Sequence, residues 1–410
     1  MIRLSPVVKT VSDSKARISV DVNVDGVSYP LWYEVDERYG DALCDSRSDA
    51  FVTGLFLYAL NRREDISYET PMTDELKLSI EQNFVLAVRD YDEEVYPIRL
   101  IGPTAPAIRK EKVSRLTGIS CGVDSLYTVI RRMVKEDFPS SDNYIAIFNH
   151  HASIGRGDTE TLSERRRRFA DCVERAKRFS AASGIPLIIG DTNYNTREIP
   201  GLMSEGNATF VNMFCAMAMQ NLFTHYLIAS AGGVEEFGYY LRKGFSSTIH
   251  ENYDLLTTAA FSSQSLRITV DGLVSRDNKI KYLAEEPLAQ RFLDVCLLHQ
   301  EGVVKNGTND CPKCMYTILE LMALGPGVLE RFDEVFDVEY VKSHKYVYLA
   351  DMIRGLIQKS IYAEQCWPRR YVMGFVWSDY VRAFIIVGRK MIKKVCRFGK
   401  NSYSFSPDGK

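Results

Sequence analysis

From residue 109 to about residue 330 the chain alternates short apolar runs with longer segments of helical period, and this alternation constrains the fold most. Residues 143–148, 186–189, 226–229 and 266–270 read as compact strands. Between them, residues 161–183 put Leu162, Phe169, Cys172, Ala176 and Phe179 on one helical face and stop near Gly184. Residues 207–223 form an apolar helix. Strands this short and apolar need cover on both faces, which predicts an α/β fold with a parallel, doubly wound, Rossmann-like sheet. Ligands of such sheets sit beyond the carboxyl ends of the strands. Four ends qualify, at residues 120–125, 149–155, 191–195 and 230–233, all rich in small or polar residues.

The first of these ends carries the clearest chemistry. Val113, Leu116 and Ile119 read as a short strand, and Leu126, Val129, Ile130, Met133 and Val134 recur at helical spacing. The loop between them is Ser120, Cys121, Gly122, Val123, Asp124 and Ser125. A strand that turns tightly into a helix presents unpaired backbone amides and about half a positive charge. That geometry suits a phosphate. It is not a Walker A loop, which ends in Gly-Lys-Ser/Thr. Small-residue turns also occur without a ligand.

Ser275, after the last strand, reads as an N-cap, so Arg276 and Lys279 fall in the first helical turn. Cations disfavour a helix start, which points to an anionic partner; the alternative is that both side chains simply reach solvent. Two residues separate Cys311 from Cys314, and fourteen separate Cys296 from Cys311. That spacing reads as a structural zinc site, with His299 or Asp310 to complete it, or as reduced core cysteines. A redox pair fits less well without a strand running into a helix start. His150 and His151 follow the second strand, and Glu235 and Glu236 offer carboxylates for Mg²⁺; each also reads as an ordinary surface group. Arg165 to Arg168 reads as a solvated helix face.

Residues 1–108 read as a small α+β unit. A hairpin turns at Asp25–Gly26, a helix from residue 49 to 60 carries Phe51, Leu55, Phe56 and Ala59 on one stripe, and another helix runs from 71 to 88. Residues 102–107 form a linker, and residues 331–410 read as helical with a frayed tail. Lys plus Arg number 51 against 53 Asp plus Glu, a balance that argues against coating nucleic acid generally. A nucleic-acid partner and a homodimer stay open. No apolar run spans a bilayer, so no membrane is expected. Nine scattered Cys and no leader segment predict a cytoplasmic protein.

The loop at 120–125 resembles the Ser-Gly-Gly-x-Asp-Ser loop of the PP-loop ATP pyrophosphatases. That superfamily includes argininosuccinate, asparagine and GMP synthetases and 7-cyano-7-deazaguanine synthase. Ser120, Gly122, Val123, Asp124 and Ser125 match; Cys121 stands where the family has its first Gly. The resemblance is closest to the deazaguanine-synthase-like branch, whose zinc pattern aligns with Cys296, Cys311 and Cys314 and leaves Thr308 at the remaining position. It implies ATP with Mg²⁺, and Zn²⁺ at the cysteines. It places adenine near Phe148 and Asn149, phosphates over Ser120 to Ser125, and pyrophosphate on Arg276 or Lys279. Asp124 would orient Mg²⁺ or a phosphate-binding group.

The implied reaction adenylates a carboxylate or amide oxygen, releases pyrophosphate, and ends in amidation, nitrile formation or ligation. The implied substrate is a deazaguanine-like molecule, a peptide or a protein, in a bacterial defence or modification pathway. Two other readings remain: a catalytically impaired ATP- or AMP-binding module, in which Cys121 has ended turnover, and a tRNA sulfur transferase.

Overall fold

The computed structural model describes residues 1–91, 93, 95–135, 141–149, 162–194, 196, 198–202, 208–234, 249–295, 306–307, 311–357, 363 and 366–401. The chain divides into two compact units, Met1–Lys279 and Ile280–Lys410.

The strands of the first unit are, in chain order, β1 (Ile2–Leu4), β2 (Val8–Ser12), β3 (Lys15–Val24), β4 (Val27–Asp36), β5 (Ile66–Tyr68), β6 (Met72–Thr73), β7 (Leu100–Ile101), β8 (Thr104–Ala105), β9 (Val113–Gly118), β10 (Ser141–Asn149), β11 (Leu187–Thr192), β12 (His225–Ala229) and β13 (Arg267–Asp271). The main sheet has the order β13-β12-β9-β10-β11-β4-β3-β1-β5-β7, with β2 on β3, while β6 and β8 pair separately. The stretch from β13 to β11 is parallel throughout. This is the α/β sheet that the alternation predicts.

The alternating run from Ile18 forms the hairpin of β3 and β4. Its turn uses Asp25 at φ 54° and Gly26 at φ 83°. Two left-handed residues give the turn whose twist matches the flanking strands. β4 then pairs antiparallel with β11, through Val35 with Gly190, Glu34 with Asp191 and Tyr33 with Thr192. A Cβ on Gly190 would lie 2.2 Å from the Tyr33 hydroxyl, so only glycine lets the fully buried Tyr33 lie across β11. Asn193 adds a clamp: its Oδ1 accepts from the Trp32 amide (3.0 Å) and its Nδ2 donates to the Pro30 carbonyl (2.8 Å).

Residues 1–108 have the expected α+β content, and their strands β4, β3, β1, β5 and β7 continue the central sheet. The compact units meet at Lys279 and Ile280. The helix Asp49–Arg62 carries no narrow stripe, since every residue from Asp49 to Leu60 is buried. It lies close against the helix Ala208–Ala218, where a Cβ on Gly54 would meet Phe214 at 3.2 Å. A helix apolar all round belongs in a core. The predicted helix 71–88 is instead strand β6, the helix Asp74–Ser79, a π-helical stretch Ile80–Val85 and the helix Leu86–Tyr91. The helix expected at 207–223 ends at Ala218.

The second unit is helical among its described residues, with its longest helices at Pro312–Ala323, Lys345–Ile357 and Trp377–Asn401. No helix among the described residues is long and apolar enough to cross a membrane.

Candidate functional site

The parallel strands run outward from β9 through β10 to β11, then the chain returns to the other side of β9 for β12 and β13. The winding therefore reverses between β9 and β12. In open α/β sheets the crevice at such a reversal, beyond the carboxyl ends, is where ligands bind. The 120–125 loop leaves β9 at this point, and Ser230 leaves β12 beside it.

The loop is braced internally. Ser125 Oγ donates to the Gly122 carbonyl (3.2 Å), accepts from the Ser120 amide (3.3 Å), and lies 3.1 Å from Ser120 Oγ. The Gly122 amide donates to Ser120 Oγ (3.3 Å). Ser125 is buried and holds the turn from within, while Ser120 faces outward. Gly122 caps the helix Val123–Val129 with no side-chain bond, and a π-helical stretch extends it through Lys135. The first amides of a helix have no acceptor within it.

Cys121 has φ 59° and is buried. The left-handed region costs a non-glycine residue about 1–2 kcal/mol. Asp13, Ser14, Asp25 and Arg63 share this region, but Asp25 lies in the β3–β4 turn and Arg63 ends a helix. The backbone at Cys121 is thus the glycine conformation, held with a side chain attached.

Asp124 is the hub of the site. Its Oδ1 accepts from Lys279 Nζ (3.0 Å) and its Oδ2 from Arg276 Nη1 (3.1 Å), across 155 and 152 residues of sequence. The Lys279 side chain is 1% exposed and Arg276 9%. That burial excludes the solvent-facing alternative for both. Lys279 Nζ also donates to the Ser230 carbonyl, a contact with no sequence signal beyond the small-residue strand end. Nζ carries three protons, so these two bonds leave one. Arg276 Nε is buried and has no acceptor among the described residues. A buried donor left unmatched costs about 1–3 kcal/mol, which an anion in the crevice would remove.

The turns opposite keep the approach narrow. A Cβ on Gly233 would meet the Ser275 amide nitrogen at 3.0 Å, and Gly272, at φ 72°, lies under Tyr127 and Lys279. Asp271, ending β13, takes Arg131 (2.8 Å) and Arg132 (2.6 Å), a buried ion cluster that the sequence did not flag. Phe148 is half-buried near the end of β10, edge-on to Tyr33, and Asn149 pairs with Asp191 in the parallel ladder.

Among the described residues no group of three or more His, Cys, Asp or Glu is placed to hold a metal. Both Asp124 oxygens already accept from cations, so Asp124 fits a holder of the phosphate-binding side chains rather than a Mg²⁺ ligand. Cys311 precedes the helix Pro312–Ala323 and Cys314 lies in its first turn, both buried. The pair therefore opens a helix, while residues 308–310 before it lie outside the described residues. Cys296, His299, Thr308 and Asp310 lie outside the described residues, as do His150, His151, Glu235 and Glu236.

Two other features lie elsewhere. Asp49 is buried and accepts from the Thr73 amide (2.8 Å), Thr73 Oγ1 (2.6 Å) and Gln220 Nε2 (3.1 Å). Burial raises its carboxyl above the usual range despite these bonds. An open groove of about 590 Å³ follows the edge strand β7, lined by Lys77, Glu81, Leu86, Arg99 and Ile101, and includes no residue of the 120–125 loop.

Comparison with protein-family models, curated proteins and solved structures finds no match to this chain.

Proposed function

We propose that the Met1–Lys279 unit binds ATP over residues 120–125 and splits it between the α- and β-phosphates. One observation carries the reading: Arg276 and Lys279, nearly buried, are held by Asp124 against the phosphate-type loop at the reversal of the sheet. Two inward cations and a row of helix-start amides suit a polyphosphate better than a single carboxylate.

In the proposed reaction a substrate carboxylate or amide oxygen attacks the α-phosphorus. The bond from that phosphorus to the bridging oxygen breaks, and pyrophosphate leaves with the electron pair. A nitrogen nucleophile then attacks the activated carbon, AMP departs, and the nitrogen loses a proton. Ser120 and the amides of residues 121–125 hold the phosphate oxygens. Lys279 and Arg276 neutralise the charge that grows on the leaving pyrophosphate, the kind of preorganised stabilisation worth several kcal/mol in a closed site. Asp124 positions both cations, and Ser125 keeps the loop in register. The reading assigns adenine to the neighbourhood of Phe148 and Asn149. Mg²⁺ would arrive on the triphosphate, with phosphate oxygens and water as its ligands.

The test is pyrophosphate release from ATP with candidate carboxylate substrates, deazaguanine-like acids first. Tight ATP binding with neither pyrophosphate nor AMP formed refutes turnover and leaves the alternative of a nucleotide-binding module. Cys121 favours that alternative, because it occupies the glycine position of the loop. Zinc at Cys296, Cys311 and Cys314 is tested by metal analysis of the purified chain. A folded, zinc-free preparation ends that assignment.

A further inference from the structure

Among its described side chains, the helix Trp377–Asn401 is held along one face. Asp379, Ala383 and Val387 are buried, and Asp379 meets Lys345 of the helix Lys345–Ile357 at 3.3 Å. The opposite face is apolar and open to water: Trp377 is 82% exposed, Phe384 59%, Ile385 49% and Val381 44%. These positions follow the i, i+4, i+7, i+8 spacing of one helical stripe. Farther along, the sequence places Met391, Ile392, Val395 and Phe398 at i, i+1, i+4 and i+7. A monomer rarely exposes a stripe of this size without a partner for it.

Charge selects the partner. From residue 380 to 407 the chain has seven cations (Arg382, Arg389, Lys390, Lys393, Lys394, Arg397 and Lys400) and no Asp or Glu, although the whole chain carries a net charge of −2. A second copy would bring a helix of equal positive charge, so self-pairing is opposed. Nucleic acid would meet the cations and could stack on the Trp377 and Phe384 rings, but it would leave the aliphatic Val381 and Ile385 in water. A protein groove must wrap a helix, and here the inner face is already taken. A flat anionic surface that also accepts apolar side chains satisfies all three conditions.

We infer that this helix docks the protein on an anionic phospholipid bilayer, lying in the interface plane with Trp377, Val381, Phe384 and Ile385 inserted. A basic helix of this kind binds by apolar burial together with attraction of its cations to an anionic surface. Its 25 residues extend ~37 Å along the membrane. Such docking is peripheral and needs no spanning helix. The surface stands independently of the nucleotide reading.

The test is flotation of the full chain on vesicles of phosphatidylcholine alone and of an equimolar phosphatidylcholine–phosphatidylserine mixture. The expected result is binding to the mixed vesicles only, weakened by salt, with quenching of Trp377 by brominated lipid. The double variant Trp377→Ser plus Phe384→Ser removes exposed side chains and keeps the wild-type melting temperature; its partition falls at least about tenfold. No flotation on the mixed vesicles overturns the inference, as does equal binding to both vesicle types. Binding unchanged in the double variant also overturns it. Self-association that the double variant abolishes assigns the face to a second copy and refutes the lipid proposal.

Discussion

Asp124→Asn tests the central geometry most directly. The substitution keeps shape and one acceptor oxygen but removes the charge between Lys279, 1% exposed, and Arg276, 9% exposed. Breaking a buried ion pair costs about 3–5 kcal/mol, because the remaining charge is left uncompensated. Asp124 is itself 25% exposed, and water reaching it screens part of that loss. The expected destabilisation is therefore roughly 2–3 kcal/mol, at or just below the lower end of that range. At about 2.1 cal/mol/K of unfolding entropy per residue, the Met1–Lys279 unit would lose roughly 3–5 °C in melting temperature. Trp32 is the sole tryptophan of the Met1–Lys279 unit, so its fluorescence reports that unit once Trp367 and Trp377 are replaced by Phe. Adding Lys279→Met to Asp124→Asn removes the stranded ammonium, and the double variant should recover at least ~1 kcal/mol relative to additivity. Inorganic tripolyphosphate should also restore stability to Asp124→Asn, by about 2.7 kcal/mol at a hundredfold excess over its dissociation constant. Stability of Asp124→Asn within ~0.5 kcal/mol of wild type, with additive double-variant behaviour, would refute the buried-hub reasoning.

At Cys121, glycine relieves a left-handed strain of about 1–2 kcal/mol but adds chain entropy worth roughly 0.5–1 kcal/mol to the unfolded state. Cys121→Gly should thus leave stability within about 1 kcal/mol of wild type and hold or improve ATP affinity by calorimetry, whereas Cys121→Val should lower both. Lys110 donates to the Ser265 carbonyl, and burial pushes its ammonium down to about 8. Its charged form is disfavoured in the fold, so this contribution to stability rises with pH between about 8 and the unfolded value near 10.4, and Lys110→Met should flatten melting temperature across that window. Gly190→Ala should destabilise the Met1–Lys279 unit by at least ~2 kcal/mol in urea unfolding, since the added Cβ meets the Tyr33 ring. A near-neutral result there would mean that Tyr33 has room to move.

Much of the central sheet was legible because its signals are local. The alternation of apolar strand and helix, the Asp25–Gly26 turn and the stop at Gly184 each depend on a few neighbouring residues. Gly184 does adopt φ 73° at the end of the helix Leu162–Ser183. The loop at 120–125 was legible for the same reason, since small residues between a strand and a helix leave few other conformations. The burial of the helix Asp49–Arg62 was not, because period alone does not say how many faces will find a partner. The helix start at Cys311 was missed because Pro312 at a first helical position gives only a weak local signal.

By itself, then, the sequence determined the α/β class, the anion-suited loop and the presence of Arg276 and Lys279 near a helix start. It gave no reason to join Asp124 to residues 152 and 155 positions away. Nor did it indicate that β4 would pair antiparallel with β11 and merge the N-terminal strands with the parallel strands of the sheet. Tertiary structure decided these, because the meeting of distant segments depends on the shapes they present after folding: Gly190 yielding to Tyr33, Gly233 to Ser275, and strand order bringing β9 beside β12. Local conformation is set by steric preferences of adjacent residues. A buried charge cluster is set by which surfaces exclude water together, and that exists only in the assembled fold.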